Sequence, residues 1–403
     1  MPFYDGIGVI AEKHAVVLDI GSSLCKVGYA GEPIPRAIIR TPECLRTSTS
    51  SQTTDENYEN LQNKIVQFVH KLYFEHLLVN PKDRRVVLVE SLLGDVRLRD
   101  ILVEILFQHF EVLSILLAPS HLMPLFGLGI KSALVIDVGY EEATLIPIYE
   151  NVPVLKAWQA QPLASKAVHQ SLKEEIMTRG TARRGDQGNY EKVEELGVDL
   201  DEETIEDIKI RLCFVTDLTR GHQIQQIRND ASSVSGLSSF LKKSVPSATY
   251  PLNGDITLRI DGQTRESACE RLFEQDNDRM SVSTMVLDAL LECPLDSRKE
   301  LAANIVIVGG TSMIKGFKAR LFQELKYLLT KEPYCSRLFV EEFKLHKAPG
   351  KANFSSWVGA SIFGATDAIG TRSFSRENYF KDKSVPDWSN LRFNSLYNSE
   401  RHG

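Results

Sequence analysis

Residues 16–31, VVLDIGSSLCKVGYAG, constrain this chain more than any other stretch. Apolar residues run into Asp19, then come Gly21, Ser22 and Ser23, and a second apolar run carries Lys26 and ends at Gly31. That order predicts a buried strand, a tight turn and a returning strand. Such a turn aims successive backbone N–H groups into one concavity, where a phosphate can sit. The carboxylate at the strand end can face a metal-bound water, and the Lys can reach phosphates as a point charge. Taken alone, an Asp-x-Gly hairpin is most often just a hairpin.

A second copy changes the weight of the first. Residues 134–150, LVIDVGYEEATLIPIYE, repeat the plan with Asp137 at the strand end and Gly139 in the turn. Internal repetition of this kind marks a chain built of two similar halves. Residues 304–316, NIVIVGGTSMIKG, add a buried strand ending in Gly309, Gly310 and Thr311, with a helical pattern over 317–329. A Gly pair at a strand–helix junction allows close backbone approach to a ligand, and the helix N-terminus favours anions.

With these three elements in this order, the sequence resembles the actin family, whose two lobes clamp ATP and a divalent cation between two such hairpins. The resemblance covers nearly the whole chain, through VVLDIGSSLCKVGYAGEPIPRAII, LVIDVGYEEATLIPIYENVPV, IEDIKIRLCFV (205–215), CPLDSRKELAANIVIVGGTSMIKG (293–316) and SWVGASIFG (356–364). It implies an α/β, actin-like two-lobed fold of the ribonuclease-H-like ATPase type. Lobe one would comprise 1–122 and 351–403, and lobe two 123–350. Within the family, VNPKDRRVVLVES (79–91), LLAPSHLM (116–123), LFEQDN (272–277) and VPDW (385–388) are similar to the divergent actin-related class at the pointed end of dynactin.

A chain of 403 residues is ample for two domains, and 43% hydrophobic with 25% charged residues is ordinary for a globular protein. The net charge of −6 argues against a nucleic-acid surface. Six scattered cysteines with no C-x-x-C pair suggest reduced thiols and no disulfide framework or zinc site. The first residues lack the pattern of a signal peptide, and no apolar run reaches membrane-spanning length. The expectation is a soluble cytoplasmic protein.

Residues 40–60, RTPECLRTSTSSQTTDENYEN, are polar and almost without aliphatic side chains, as in a surface loop. Against actin they stand where a small subdomain lies and are about two dozen residues short, so the loop that grips a neighbouring subunit is expected to be missing. Helices are expected over 61–77, 98–110, 120–129 (joining the lobes), 163–177, 201–220 with Asp201 as cap, 282–291 and 357–369, and a short strand over 86–89. Residues 179–190, with three arginines, read as a solvated loop or as a phosphate site. Residues 229–247 are Ser-rich, and their Leu237, Phe240 and Leu241 could mark a docking point or local packing.

The resemblance also assigns roles. Asp19, Gly21, Ser22, Ser23 and Lys26 stand in the first phosphate hairpin, and Asp137 and Gly139 in the second. Asp19 and Asp137 would hold the cation's waters, Lys209 would contact base or ribose, and Gly309, Gly310 and Thr311 would line the nucleoside. Several positions depart from the family. Tyr140 and Glu141 replace an Asp and a Gly, Ser120 a water-orienting Gln, Ile210 a ribose-binding Glu, Ile314 an aromatic beside adenine, and Asn353 a Lys. Slow or absent hydrolysis is expected. A structural ATP or ADP with Mg and an empty cleft both stay open as states of the site.

A charged stretch, residues 274–279, stands where actins have an apolar plug. With residues 40–60 it implies a subunit that docks on a filament through one face and refuses a neighbour on the other. The dynactin resemblance implies a non-enzymatic cap on the pointed end of its actin-related filament. Its partners would be the filament subunits and dynactin's p62, p25 and p27, in support of dynein and cargo transport on microtubules, with no nucleic acid or membrane insertion. The alternatives are a nuclear actin-related subunit of a chromatin-remodelling complex, and a weak ATPase or small-molecule kinase.

Overall fold

The computed structural model describes residues 13–46, 55–185, 188–229, 245–252, 254–275, 278–348 and 350–389. Contacts divide the chain into one unit of Met1–Ile130 with Ala348–Gly403, and a second of Lys131–Lys347. The sequence-based division was drawn at 122/123 and 350/351.

The first unit is built on a mixed sheet. Strands β1 (Val16–Ile20), β2 (Leu24–Tyr29) and β3 (Ala37–Arg40) form an antiparallel meander, and β4 (Val86–Glu90) and β5 (Ser114–Pro119) extend it in parallel from β1. A two-residue strand, Phe374–Ser375, closes the β5 edge. Central strands are apolar on both faces because both faces are covered. Alternation splits them cleanly: Val16, Leu18 and Val86 pack with Ile65, Val69 and Leu106, whereas Val17 and Val87 pack with Met123, Trp357 and Val358. The first face is covered by α1 (Asp55–Lys71), continued by a π turn to Leu77, and by α2 (Val96–Gln108). Asp95 starts α2 by accepting from the Arg97 N–H at 2.9 Å, which satisfies a first-turn donor.

The second face is covered by α3 (Met123–Leu128) and the small-residue helix Ser355–Gly364. A Cβ on Gly359 would stand 1.8 Å from the Met123 carbonyl oxygen, so only glycine permits this approach. Trp357 Nε1 donates to the Val17 carbonyl at 3.1 Å and fixes the helix to β1. The helix expected over 120–129 is shorter than the sequence suggested. Strand β5 runs on to Pro119 and the Ser120 N–H donates to the Glu90 carbonyl at 2.8 Å, so the helix starts only at Met123.

The second unit holds two sheets. The larger contains β6 (Ala133–Val138), β7 (Ala143–Tyr149), β8 (Val152–Pro153) and β9 (Gln159–Gln161), joined by two later strands. Helix α4 (Ser165–Arg179) leads to the smaller antiparallel sheet of β10 (Thr181–Arg184), β11 (Glu191–Lys192), β12 (Ala248–Leu252) and β13 (Ile256–Ile260). Between β11 and β12 run α5 (Glu202–Leu212) and α6 (Leu218–Asn229). After β13 come α7 (Gly262–Ser267), α8 (Val282–Glu292) and α9 (Leu295–Ala302). Strand β14 (Ile305–Val308), α10 (Phe317–Leu328) and β15 (Leu345–His346) complete the unit, with β14 parallel to both β6 and β15.

Two expectations need correction here. Part of the expected loop at 179–190 is strand β10, whose Ala182 is buried opposite Leu258 while its arginines hide the strand pattern. The single helix expected over 201–220 is two. Asp201 caps α5 by accepting from Thr204 N–H at 2.9 Å, but Cys213 turns extended and the Val215 N–H goes to the Lys315 carbonyl instead. Among the described residues no helix is long and apolar enough to cross a membrane.

Candidate functional site

The first hairpin places its chemistry by strand register. Asp19 and Lys26 are cross-strand partners in β1 and β2, so their side chains leave the same face. They pair at 3.1 Å, each about one-eighth exposed by its side chain (14% and 13%). The Gly21 N–H closes the turn on the Leu24 carbonyl at 3.2 Å. Thr41, just beyond β3, clamps the turn from the side. Its hydroxyl donates to the Gly21 carbonyl at 2.7 Å and its N–H to the Ser23 carbonyl at 2.9 Å. Ser23 Oγ is buried and has no hydrogen-bond partner. A buried hydroxyl without a partner costs on the order of 1–3 kcal/mol, and an anionic oxygen would relieve that cost. Burial, with the Asp19 carboxylate nearby, pushes the neighbouring Cys25 thiol far above its ordinary range, so it stays protonated. Ser120 lies at the end of β5, buried, with Oγ 3.2 Å from Nδ1 of the adjacent His121.

The second hairpin is held differently. Strand β14 runs parallel to β6 with Val308 opposite Asp137, which brings Gly309 against the turn. At φ +88° a Cβ on Gly309 would lie 2.3 Å from the Val138 oxygen and 2.4 Å from Asp137 Oδ1. The Gly139 N–H closes the turn on the Glu142 carbonyl at 3.1 Å. Its carbonyl accepts from Thr311 Oγ1 at 2.5 Å, and the next carbonyl, Tyr140, accepts from Lys166 N–H at 2.8 Å. The turn is thereby docked on the first residues of α4. Thr311 Oγ1 also lies 2.9 Å from Ser165 Oγ, which is 2.6 Å from Lys209 Nζ, and Nζ is 2.8 Å from His169 Nε2. All four side chains are buried, Lys209 to 5% exposure. The Tyr140 ring meets the His169 ring edge-on at 5.7 Å. Glu141 points outward, 3.9 Å from Lys166. Burial, and after it the charges of Glu141 and Asp137, raise the Glu142 carboxyl above its usual value.

The sequence-based site residues therefore fall into two sets. Asp19, Gly21, Ser22, Ser23 and Lys26 come together in the first unit. Asp137, Gly139, Lys209, Gly309, Gly310 and Thr311 come together in the second, around α4. Ser165 and His169 escaped notice, because a Ser at a helix start and a His one turn later carry no motif. Ile210 is 68% exposed and Ile314 packs at the edge of the second unit's core. Among the described residues no group of three or more His, Cys, Asp or Glu is placed to hold a metal ion. Leu237, Phe240 and Leu241, and Asp276 and Asn277 of the charged stretch, lie outside the described residues.

A family model described as Actin matches residues 56–384. The chain belongs to the actin family. Among relatives it is 26% identical to an actin-related protein 10 from Dictyostelium discoideum, over 94% of this chain and 90% of that one. A putative actin-29 from the same organism is 24% identical, over 92% of this chain and 95% of that one. The family fold thus spans both units, and the identities mark a divergent actin-related protein.

Set against the nucleotide and Mg that the actin fold implies, the two halves behave unequally. The first hairpin fits a phosphate and a hydrated cation: it offers a carboxylate, an ammonium and a buried hydroxyl lacking a partner. Asp19, Ser23 and Lys26 are the residues that would hold such a group. The second half does not fit a nucleoside in the same way, since Thr311 and Lys209 already spend hydrogen bonds on protein atoms.

Proposed function

We propose that this actin-family chain is a structural, non-hydrolysing subunit of dynactin that caps the pointed end of the actin-related filament. There it anchors the p62, p25 and p27 subunits, in the cytoplasm, in support of dynein-driven transport. The observation carrying the reading is the connection after β3. Residues 41–54 are all that separates Arg40 from the start of α1, and the described part of it makes only one short turn, Glu43–Leu45. A connection of that length has no room for a folded subdomain. Head-to-tail assembly continues only while both mating faces are present, so trimming one converts a filament subunit into a terminus.

A second support concerns hydrolysis. The Ser120 hydroxyl sits against His121 and is too short to orient a water where the family uses a Gln. A third lies in the charged stretch: Glu274 is drawn back into its own unit by Arg228 and Arg271. The likeness to an actin-related protein 10 agrees with the same class. Density-gradient fractionation of cell extract tests the assignment. Co-migration with dynein and dynactin supports it, and co-migration with a chromatin-remodelling complex overturns it.

A further inference from the structure

We infer that Lys209 in this chain is a strut of the second unit and not a ligand for a nucleoside. The hydrogen-bond inventory of its neighbours leads there. Thr311 Oγ1 has one proton, and the Gly139 carbonyl 2.5 Å away can only accept, so that proton goes to Gly139. Toward Ser165, at 2.9 Å, Thr311 must then accept, which commits the Ser165 proton to Thr311. Ser165 in turn must accept from Lys209 at 2.6 Å. His169 Nε2 lies 2.8 Å from the same Nζ, and toward Lys209 as an ammonium it accepts.

The result is a directional chain, Lys209 to Ser165 to Thr311 to the Gly139 carbonyl, ending on the turn of the second hairpin. It ties α5, the start of α4, the Gly309–Gly310–Thr311 junction and the β6–β7 turn together. Each link lies among buried residues, where a lost partner leaves a polar group stranded. Turning the Lys209 ammonium toward a ribose would unmake the Ser165 and His169 bonds and leave two buried acceptors without their donor. A ligand contact there would therefore cost what the network contributes to the fold. The inference concerns the second unit alone and stands or falls apart from the filament-cap reading.

The test uses the purified full chain as wild type, Lys209→Met, Ser165→Ala and the double variant. Two readouts are taken: thermal unfolding without nucleotide, and MgATP held, measured as nucleotide released on denaturation and as affinity. Both single variants should unfold at lower temperature with no nucleotide present, and the double variant should fall no further than Lys209→Met alone. Nucleotide content and affinity should change by less than about twofold, whether the wild type holds nucleotide or none. A loss of about tenfold in either variant overturns the inference, as does unchanged nucleotide-free unfolding. Should Lys209→Met fail to fold, Ser165→Ala decides by the same two readouts, since it removes only a hydroxyl.

Discussion

Replacing Arg320 with Met should separate a buried charge network from the packing around it. The guanidinium is fully buried on α10 and donates to both oxygens of Glu270, at 2.8 and 3.1 Å, and to Glu324 at 2.8 Å. It also reaches the Thr216 and Asp217 carbonyls at 3.3 Å. Glu270 is fully buried too, and Glu324 nearly so. Met fills most of the same volume but leaves Glu270 without its cation, and Glu324 with only His222 Nε2, 3.3 Å away. Stranding a buried charge in this way costs about 3–5 kcal/mol, against about 1 kcal/mol for the change of shape.

The sign with pH distinguishes the two causes. Burial already raises Glu270 above its ordinary carboxylate value, and Arg320 opposes the rise. Without Arg320 the folded-state value climbs further, so the native state keeps a proton that the unfolded state has lost. Stability then falls as pH rises through that window, and the variant is less damaged at pH 5.5 than at pH 8. Equilibrium urea unfolding followed by circular dichroism measures both numbers. Adding Glu270→Gln to Arg320→Met should recover part of the loss at pH 8. A loss under about 1 kcal/mol, or one equal at both pH values, would refute the reasoning.

Three further outcomes follow from single contacts. Gly309→Ala forces a Cβ at φ +88° to within 2.3 Å of the Val138 oxygen. It should cost several kcal/mol, on the order of a severe core lesion, and be recovered mainly as insoluble protein, which a soluble-yield assay reads. Trp357→Phe removes the donor to the Val17 carbonyl and leaves that oxygen buried. It should lower stability by about 1–3 kcal/mol in urea titrations, with unit-one amides losing protection first. Trp388→Ala deletes the indole donor to Glu90 at 2.9 Å, a carboxylate that Arg99 also holds at 3.2 Å. Hydrogen exchange should speed up over residues 384–389 while the strands stay protected, and uniform acceleration across the unit would contradict that contact's local role.

Much of the fold was legible because its signals are short-range. The apolar run of Val16, Val17 and Leu18 into Asp19, and the Asp-x-Gly turns, specify strand and turn within a few residues. What was not legible depends on partners far along the chain. Strand β10 carries Arg183 and Arg184 and takes its strand character from pairing with β13. The break between α5 and α6 follows from the Val215 N–H finding the Lys315 carbonyl. At the candidate site the family resemblance assigned Lys209 to base or ribose and Thr311 to the nucleoside. It could not show that Ser165 and His169, from another helix, consume their hydrogen bonds. Sequence reading finds the residue types a site needs, whereas their occupancy is a property of the packed unit.

The mating face is the point on which the functional account turns. Electron microscopy of native dynactin filaments, with this chain carrying a short internal label, locates it directly. The account requires one copy per filament, at the pointed end, with an actin-related neighbour on one side only. Copies in filament interiors, flanked by subunits on both faces, would contradict it.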